Sequence, residues 1–149
     1  MSSRARTEAQ LTGLLRAIAM WPRMIGQLRR PFRWINPDEL KRRLDQDDAM
    51  VVIDVRGPDE FAGPLGHIGT ARNIPVAELY DRMAELAGLE RKPIVLVCLT
   101  DKRSGAAAQT LHAAGFSEVL VLRQGMRQWN AAGLPVNDQT VPKESKQND

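Results

Sequence analysis

Three short apolar runs recur along the chain and set its period. They are Val51-Val52-Ile53, closed by Asp54-Val55; Pro93-Ile94-Val95-Leu96-Val97; and Val119-Leu120-Val121-Leu122. Each is rich in β-branched residues and short, the pattern of a strand buried on both faces of a parallel sheet. Between them the apolar spacing becomes helical. Asn36-Pro37-Asp38-Glu39 opens a helix with a cap residue, a proline at the first helical position and a capping-box-like glutamate. Leu40 and Leu44 face the core from it. Leu79 and Met83 predict a second helix from Pro75 through Leu86. The alanine-rich stretch from Ser104 to Ala114 predicts a third, stopped by Gly115, and Gly125 to Ala132 a short last one. Gly57, Pro58, Gly63, Pro64, Gly66 and Gly69 mark a long irregular connection after the first strand. Strands alternating with helices imply right-handed crossovers and an α/β fold with a mostly parallel sheet.

The ends read differently from this body. Leu11, Leu14, Leu15 and Ile18 follow helical spacing until Pro22 interrupts them, and Met24, Ile25 and Leu28 add a further turn. Three readings stay open for this segment: a helix packed on the domain, which we rank first; an interfacial helix bringing Trp21 and arginines to an anionic membrane; and a transit peptide. Asn137 to Asp149 is polar and is expected to be disordered. The chain thus divides into a basic extension (1–33), one domain (34–136) and a polar tail (137–149).

Charge sharpens that division. Residues 1–33 hold seven arginines against the single acid Glu8, a balance of +6; the whole chain carries +3, so residues 34–149 carry −3. Nucleic-acid binding by the domain is therefore not expected. A hydrophobic content of 43% and a charged content of 26% are ordinary for a globular protein of 149 residues. One cysteine excludes an internal disulfide and a cysteine-cluster metal site, and fits a reducing compartment. His67 and His112 are too few and too far apart to suggest a metal. A cytoplasmic location is expected, with organelle targeting or peripheral membrane attachment through residues 1–33 as the alternatives.

That lone cysteine is placed for chemistry. Cys98 ends the second apolar run, Leu99-Thr100-Asp101-Lys102 follow, and Arg103-Ser104-Gly105 start the alanine-rich helix. A loop from strand to helix faces the crevice outside the carboxyl ends of a parallel sheet, where such sheets bind ligands. Backbone N–H groups there favour an anion, and hence the nucleophilic thiolate. Asp54 and Arg56 end a neighbouring strand and approach the same crevice.

The residues around this loop resemble the rhodanese (sulfurtransferase) family. Asp54-Val55-Arg56, Glu60-Phe61, Gly66-His67-Ile68, Asn73-Ile74-Pro75, the six residues from Cys98 to Arg103, and Gly125 with Trp129 match its motifs in order. The resemblance spans Ile35 to Val136. It implies a three-layer fold with a five-stranded, mostly parallel sheet and helices on both faces. It further implies a persulfide on Cys98, formed from a small sulfur donor such as thiosulfate or a persulfide. The sulfur then passes to a thiol, to cyanide or to a protein acceptor, with no cofactor and no metal. Leu99, Thr100, Asp101, Lys102, Arg103 and Ser104 would form the substrate loop. Arg103 could grip an anionic donor or anchor the loop, and both roles stay open. Asp54, Arg56, Glu60 and His67 would support the site, with Glu60 a candidate partner for Arg56 and His67 a turn residue. His112 and Trp129 read as packing or surface residues.

One position departs from the family. The loop's middle residue is often glycine and here is Asp101, whose charge opposes both thiolate and anionic donor. Lys102 offsets part of this, and aspartate tolerates left-handed backbone. Two alternatives remain: a non-catalytic binding module that docks through its basic extension, and a cysteine phosphatase or arsenate reductase of related fold. The latter use a loop one residue longer and usually a histidine before the cysteine, where Val97 stands here.

Overall fold

A computed structural model describes residues 30–137 of the protein. The N-terminal helix with its membrane and transit readings, and the tail after Asn137, lie outside the described residues. Five strands form one parallel sheet: β1 (Arg33–Ile35), β2 (Val51–Asp54), β3 (Arg72–Asn73), β4 (Ile94–Val97) and β5 (Val119–Leu122), in the order β1-β5-β4-β2-β3. Three described α-helices lie between the strands, α1 (Pro37–Asp45), α2 (Pro58–Phe61) and α3 (Lys102–Ala113), and a fourth, α4 (Gly125–Ala131), follows β5. No described helix is long and apolar enough to cross a membrane.

The three apolar runs form the middle of the sheet because they alone have residues for both faces. Alternate side chains point to opposite sides. Ile53, Leu96 and Val121 pack with Ala107, Ala108 and Leu111 of α3, while Val52, Val95 and Leu120 pack with Leu40 of α1 and Met126 and Trp129 of α4. The alanines let α3 lie close to the sheet. Two apolar layers thus enclose the strands, giving the three-layer α/β fold.

Strand order fixes where a site can form. From β2 the chain moves outward to β3, then returns to place β4 on the other side of β2 and β5 beyond it. Neighbouring connections therefore diverge between β2 and β4, opening a crevice beyond their carboxyl ends. Register sets Asp54 opposite Val97, so Cys98 follows directly at that crevice.

Several local expectations give way. Residues 75–86 contain no α-helix but two 3₁₀ turns, Val76–Glu78 and Met83–Leu86. Burying Leu79 and Leu86 suffices to seat this segment, and Arg82 at φ −101°, ψ 13° breaks the helical path between the turns. Asn36 starts α1 without a side-chain capping bond; its carbonyl accepts the Leu40 N–H. Strands β1 and β3 carry no apolar run. They are edge strands of three and two residues, and only Ile35 among them is buried. Arg33, assigned to the extension from sequence, is the first residue of β1. α3 begins at Lys102, two residues early, which draws Lys102 and Arg103 into its first turn.

Candidate active site

The frame of the crevice is a buried ion pair. Arg56 donates from Nε to both Asp54 oxygens at 3.0 and 3.1 Å, and from Nη2 to Oδ2 at 2.8 Å. The same Nη2 donates to the Gly66 carbonyl at 2.7 Å, tying the glycine-rich connection to the end of β2. Asn73 completes the frame from β3, donating to the carbonyls of Asp54 and Arg56. Both charged groups are sequestered from water, and each compensates the other.

The loop from Cys98 to Arg103 sits within this frame. Cys98 is 1% exposed, and its Sγ lies 3.2 Å from the hydroxyl of buried Ser104. Ser104 Oγ is also 3.2 Å from the Asp101 carbonyl, to which it can only donate. In that arrangement the thiol proton points to Ser104; rotation of one hydroxyl instead offers a donor to the sulfur. Three of the loop's carbonyls, those of Cys98, Leu99 and Asp101, are occupied. The N–H of Met126 donates to the Cys98 carbonyl at 2.8 Å and that of Arg127 to the Leu99 carbonyl at 3.0 Å, while Gly105 donates to the Asp101 carbonyl. Among the described residues, nothing accepts from the N–H groups of Leu99 through Arg103. With those three carbonyls engaged, these donors are left for an anion at the sulfur.

Arg103 spans the mouth of the loop. Its Nη1 and Nη2 donate to the two Glu60 oxygens at 2.6 and 2.9 Å, joining α3 to α2. Glu60 thus pairs with Arg103 and not with Arg56. The Arg103 hydrogen bond holds the Glu60 carboxyl below its ordinary range, against the opposing effect of burial. Arg103 is held more basic chiefly by its hydrogen bond to Glu60, against the opposing effect of burial. Leu99, Thr100 and Asp101 are half-buried along the loop, and Lys102 is exposed. Asp101 has φ −147°, so this position makes no use of the left-handed tolerance that aspartate offers.

A Rhodanese-like domain model matches residues 36–132. The chain belongs to that family. The uncharacterized protein YqhL of Bacillus subtilis is 46% identical over 78 residues, which is 52% of this chain and 59% of YqhL. A protein named sulfurtransferase from Allochromatium vinosum is 31% identical over 102 residues, 68% of this chain and 92% of its own. Among solved structures, a rhodanese-related protein from Thermoplasma volcanium superposes with a TM-score of 0.63 at 30% identity, covering 71% of this chain and 98% of that one. The chain spans about half the length of the first curated relatives it matches.

The remaining motif residues of this rhodanese-like domain divide into supports and bystanders. His67 is buried and stacks on Phe61, ring centroids 3.7 Å apart. Its Nδ1 lies 3.0 Å from the Phe61 carbonyl, which requires the ring nitrogen to donate. Its backbone pairs with Asn137. His67 therefore closes the connection between α2 and β3. Trp129 is core, with Nε1 donating to the Pro135 carbonyl; His112 is exposed on α3. The support that sequence reasoning missed is the α4 backbone. Gly125 was its one signal: it has φ +51°, and a Cβ there would collide with the Cys98 and Thr100 carbonyls. Only glycine lets α4 approach closely enough to hold the loop.

Proposed function

We propose that the chain is a sulfurtransferase that carries sulfane sulfur as a persulfide on Cys98. The observation that supports this best is the buried Cys98 sulfur inside a loop whose N–H groups have no acceptor among the described residues, while α4 holds the carbonyls of Cys98 and Leu99. Such a loop stabilises negative charge on one atom, first the thiolate and then the outer persulfide sulfur. The Cys98 thiolate attacks the outer sulfur of the donor; a sulfur–sulfur bond forms at Cys98 and the donor's own bond breaks. Its electron pair leaves with sulfite when thiosulfate is the donor, or with a thiolate when the donor is a persulfide. An acceptor thiolate or cyanide then takes the outer sulfur, and the pair returns to Cys98. Ser104, by turning its hydroxyl toward the sulfur, steadies the thiolate at both stages. Burial of Cys98 suits a donor that presents a single atom down the loop axis. This favours sulfur transfer over a non-catalytic binding role.

Intact-protein mass after incubation with thiosulfate or polysulfide is expected to rise by one sulfur atom, and to return on addition of cyanide or a thiol. Cys98→Ser is expected to abolish both changes with little loss of stability, since the hydroxyl fits the same space. Sulfur uptake by that variant would refute the assignment, because the chain holds no second cysteine.

A further inference from the structure

Two cations, Lys102 and Arg103, open α3, and no acid lies in its first turn. That sign is unfavourable at a helix start, where the backbone N–H groups already carry partial positive charge. A local rule broken beside a reactive residue points to compensation from elsewhere. Here it comes from Glu60 on α2, 43 residues earlier, whose two oxygens take both terminal nitrogens of Arg103. The pair is formally neutral. Asp101 and Lys102 beside it are equal and opposite in formal charge, as are Asp54 and Arg56 beneath. The mouth of the loop therefore has no net formal charge with which to draw a small dianion, and only the inner N–H groups remain to attract one.

We propose that Glu60 determines donor specificity: by holding Arg103 in a neutral pair, it lowers the preference for small dianionic donors, thiosulfate above all, relative to donors of lower charge. The inference rests on the sulfur-transfer reading of Cys98 and names the substrate class of that site. Removing the Glu60 charge leaves Arg103 beside the loop with its planar fork free for the oxygens of a sulfonate. The gain must scale with donor charge, because the added interaction is Coulombic.

The test compares thiosulfate, a dianion, with methanethiosulfonate, a monoanion of similar shape that delivers the same sulfur atom. Loading of Cys98 is followed by intact mass at low ionic strength for the wild type, Glu60→Gln, Arg103→Gln and the double variant. Glu60→Gln is expected to raise the second-order loading rate about fivefold for thiosulfate and about twofold for methanethiosulfonate, the scale of one partly exposed charge pair. Added salt is expected to remove the difference. On the Arg103→Gln background the Glu60 substitution is expected to give a smaller gain for thiosulfate, since direct relief of repulsion remains but no freed guanidinium fork grips the donor. Equal gains for the two donors, or the same gain without Arg103, would overturn the proposal. So would slower loading by both donors, which would make Glu60 only an orienting support. Absence of sulfur on wild-type Cys98 from either donor would instead remove the sulfur-transfer reading, and this inference with it.

Discussion

Two arginine–carboxylate pairs stand at the carboxyl end of this sheet, and burial gives them different uses. In Asp54–Arg56 both side chains are 1% exposed; in Glu60–Arg103 they are 41% and 36% exposed. The buried pair lies within one turn of chain, and Arg56 is further committed to the Gly66 carbonyl. Opening it would strand two charges away from water. The outer pair joins two helices, and each partner meets solvent when they part. Identical functional groups therefore make a fixed frame in one place and a yielding contact in the other. The proposed sulfur transfer uses both, a fixed frame for Cys98 and a contact that can part for the donor.

The largest consequence concerns stability. Asp54→Asn is expected to destabilise the fold by about 3–5 kcal/mol, because Arg56 keeps its charge without a compensating carboxylate. Glu60→Gln is expected to cost only about 0.2–1 kcal/mol, the ordinary worth of an exposed pair. Urea unfolding of both variants against the wild type measures the contrast directly. Similar losses would break the distinction between fixed frame and yielding contact.

What the sequence made legible follows the same division between inside and outside. β2, β4 and β5 were readable because full burial demands unbroken apolar runs, and β5 was placed to the residue. The edge strands were hidden, since β1 and β3 need few buried side chains and borrow order from their neighbours. The segment around Leu79 and Leu86 carried apolar spacing that suits an α-helix or successive 3₁₀ turns alike. Cys98 was readable from its place at a strand end. The Asp54–Arg56 contact is two residues long and local, whereas Glu60 and Arg103 meet only because the sheet brings α2 and α3 together. No spacing rule connects positions 43 apart. The holding of the loop by α4 was equally tertiary, with Gly125 as its single trace.

Acid titration sharpens the comparison at smaller scale. Arg103 holds the Glu60 carboxyl below its ordinary 4.5. A folded-state value below the unfolded one means that the pair stabilises fully above that pH and loses its contribution as pH falls through the folded value. The stability difference between wild type and Glu60→Gln is therefore expected to be constant near neutrality and to shrink below pH 4.5. Denaturant melts across that range provide the measurement. A difference that grew on acidification would mean that Glu60 is not stabilised in its charged form.

The smallest expected effect belongs to Asp101. Its φ is negative, outside the left-handed region, so the backbone does not require glycine there, and the substitution is expected to change stability by less than about 1 kcal/mol. Its carbonyl serves Gly105 and Ser104 whatever the side chain, so the loop keeps its internal bonds. What Asp101→Gly removes is one half-buried charge on the loop that must admit the donor. Thiosulfate loading of Cys98 is expected to rise about twofold at low ionic strength, less than in Glu60→Gln, because exposed Lys102 already offsets part of that charge. In the variant lacking both carboxylates the two gains are expected to multiply, since Asp101 acts on the donor directly and Glu60 chiefly through Arg103. If Asp101→Gly leaves thiosulfate loading unchanged at every salt concentration, the Asp101 charge has no part in donor choice. The tuning of the mouth would then rest on the outer pair alone.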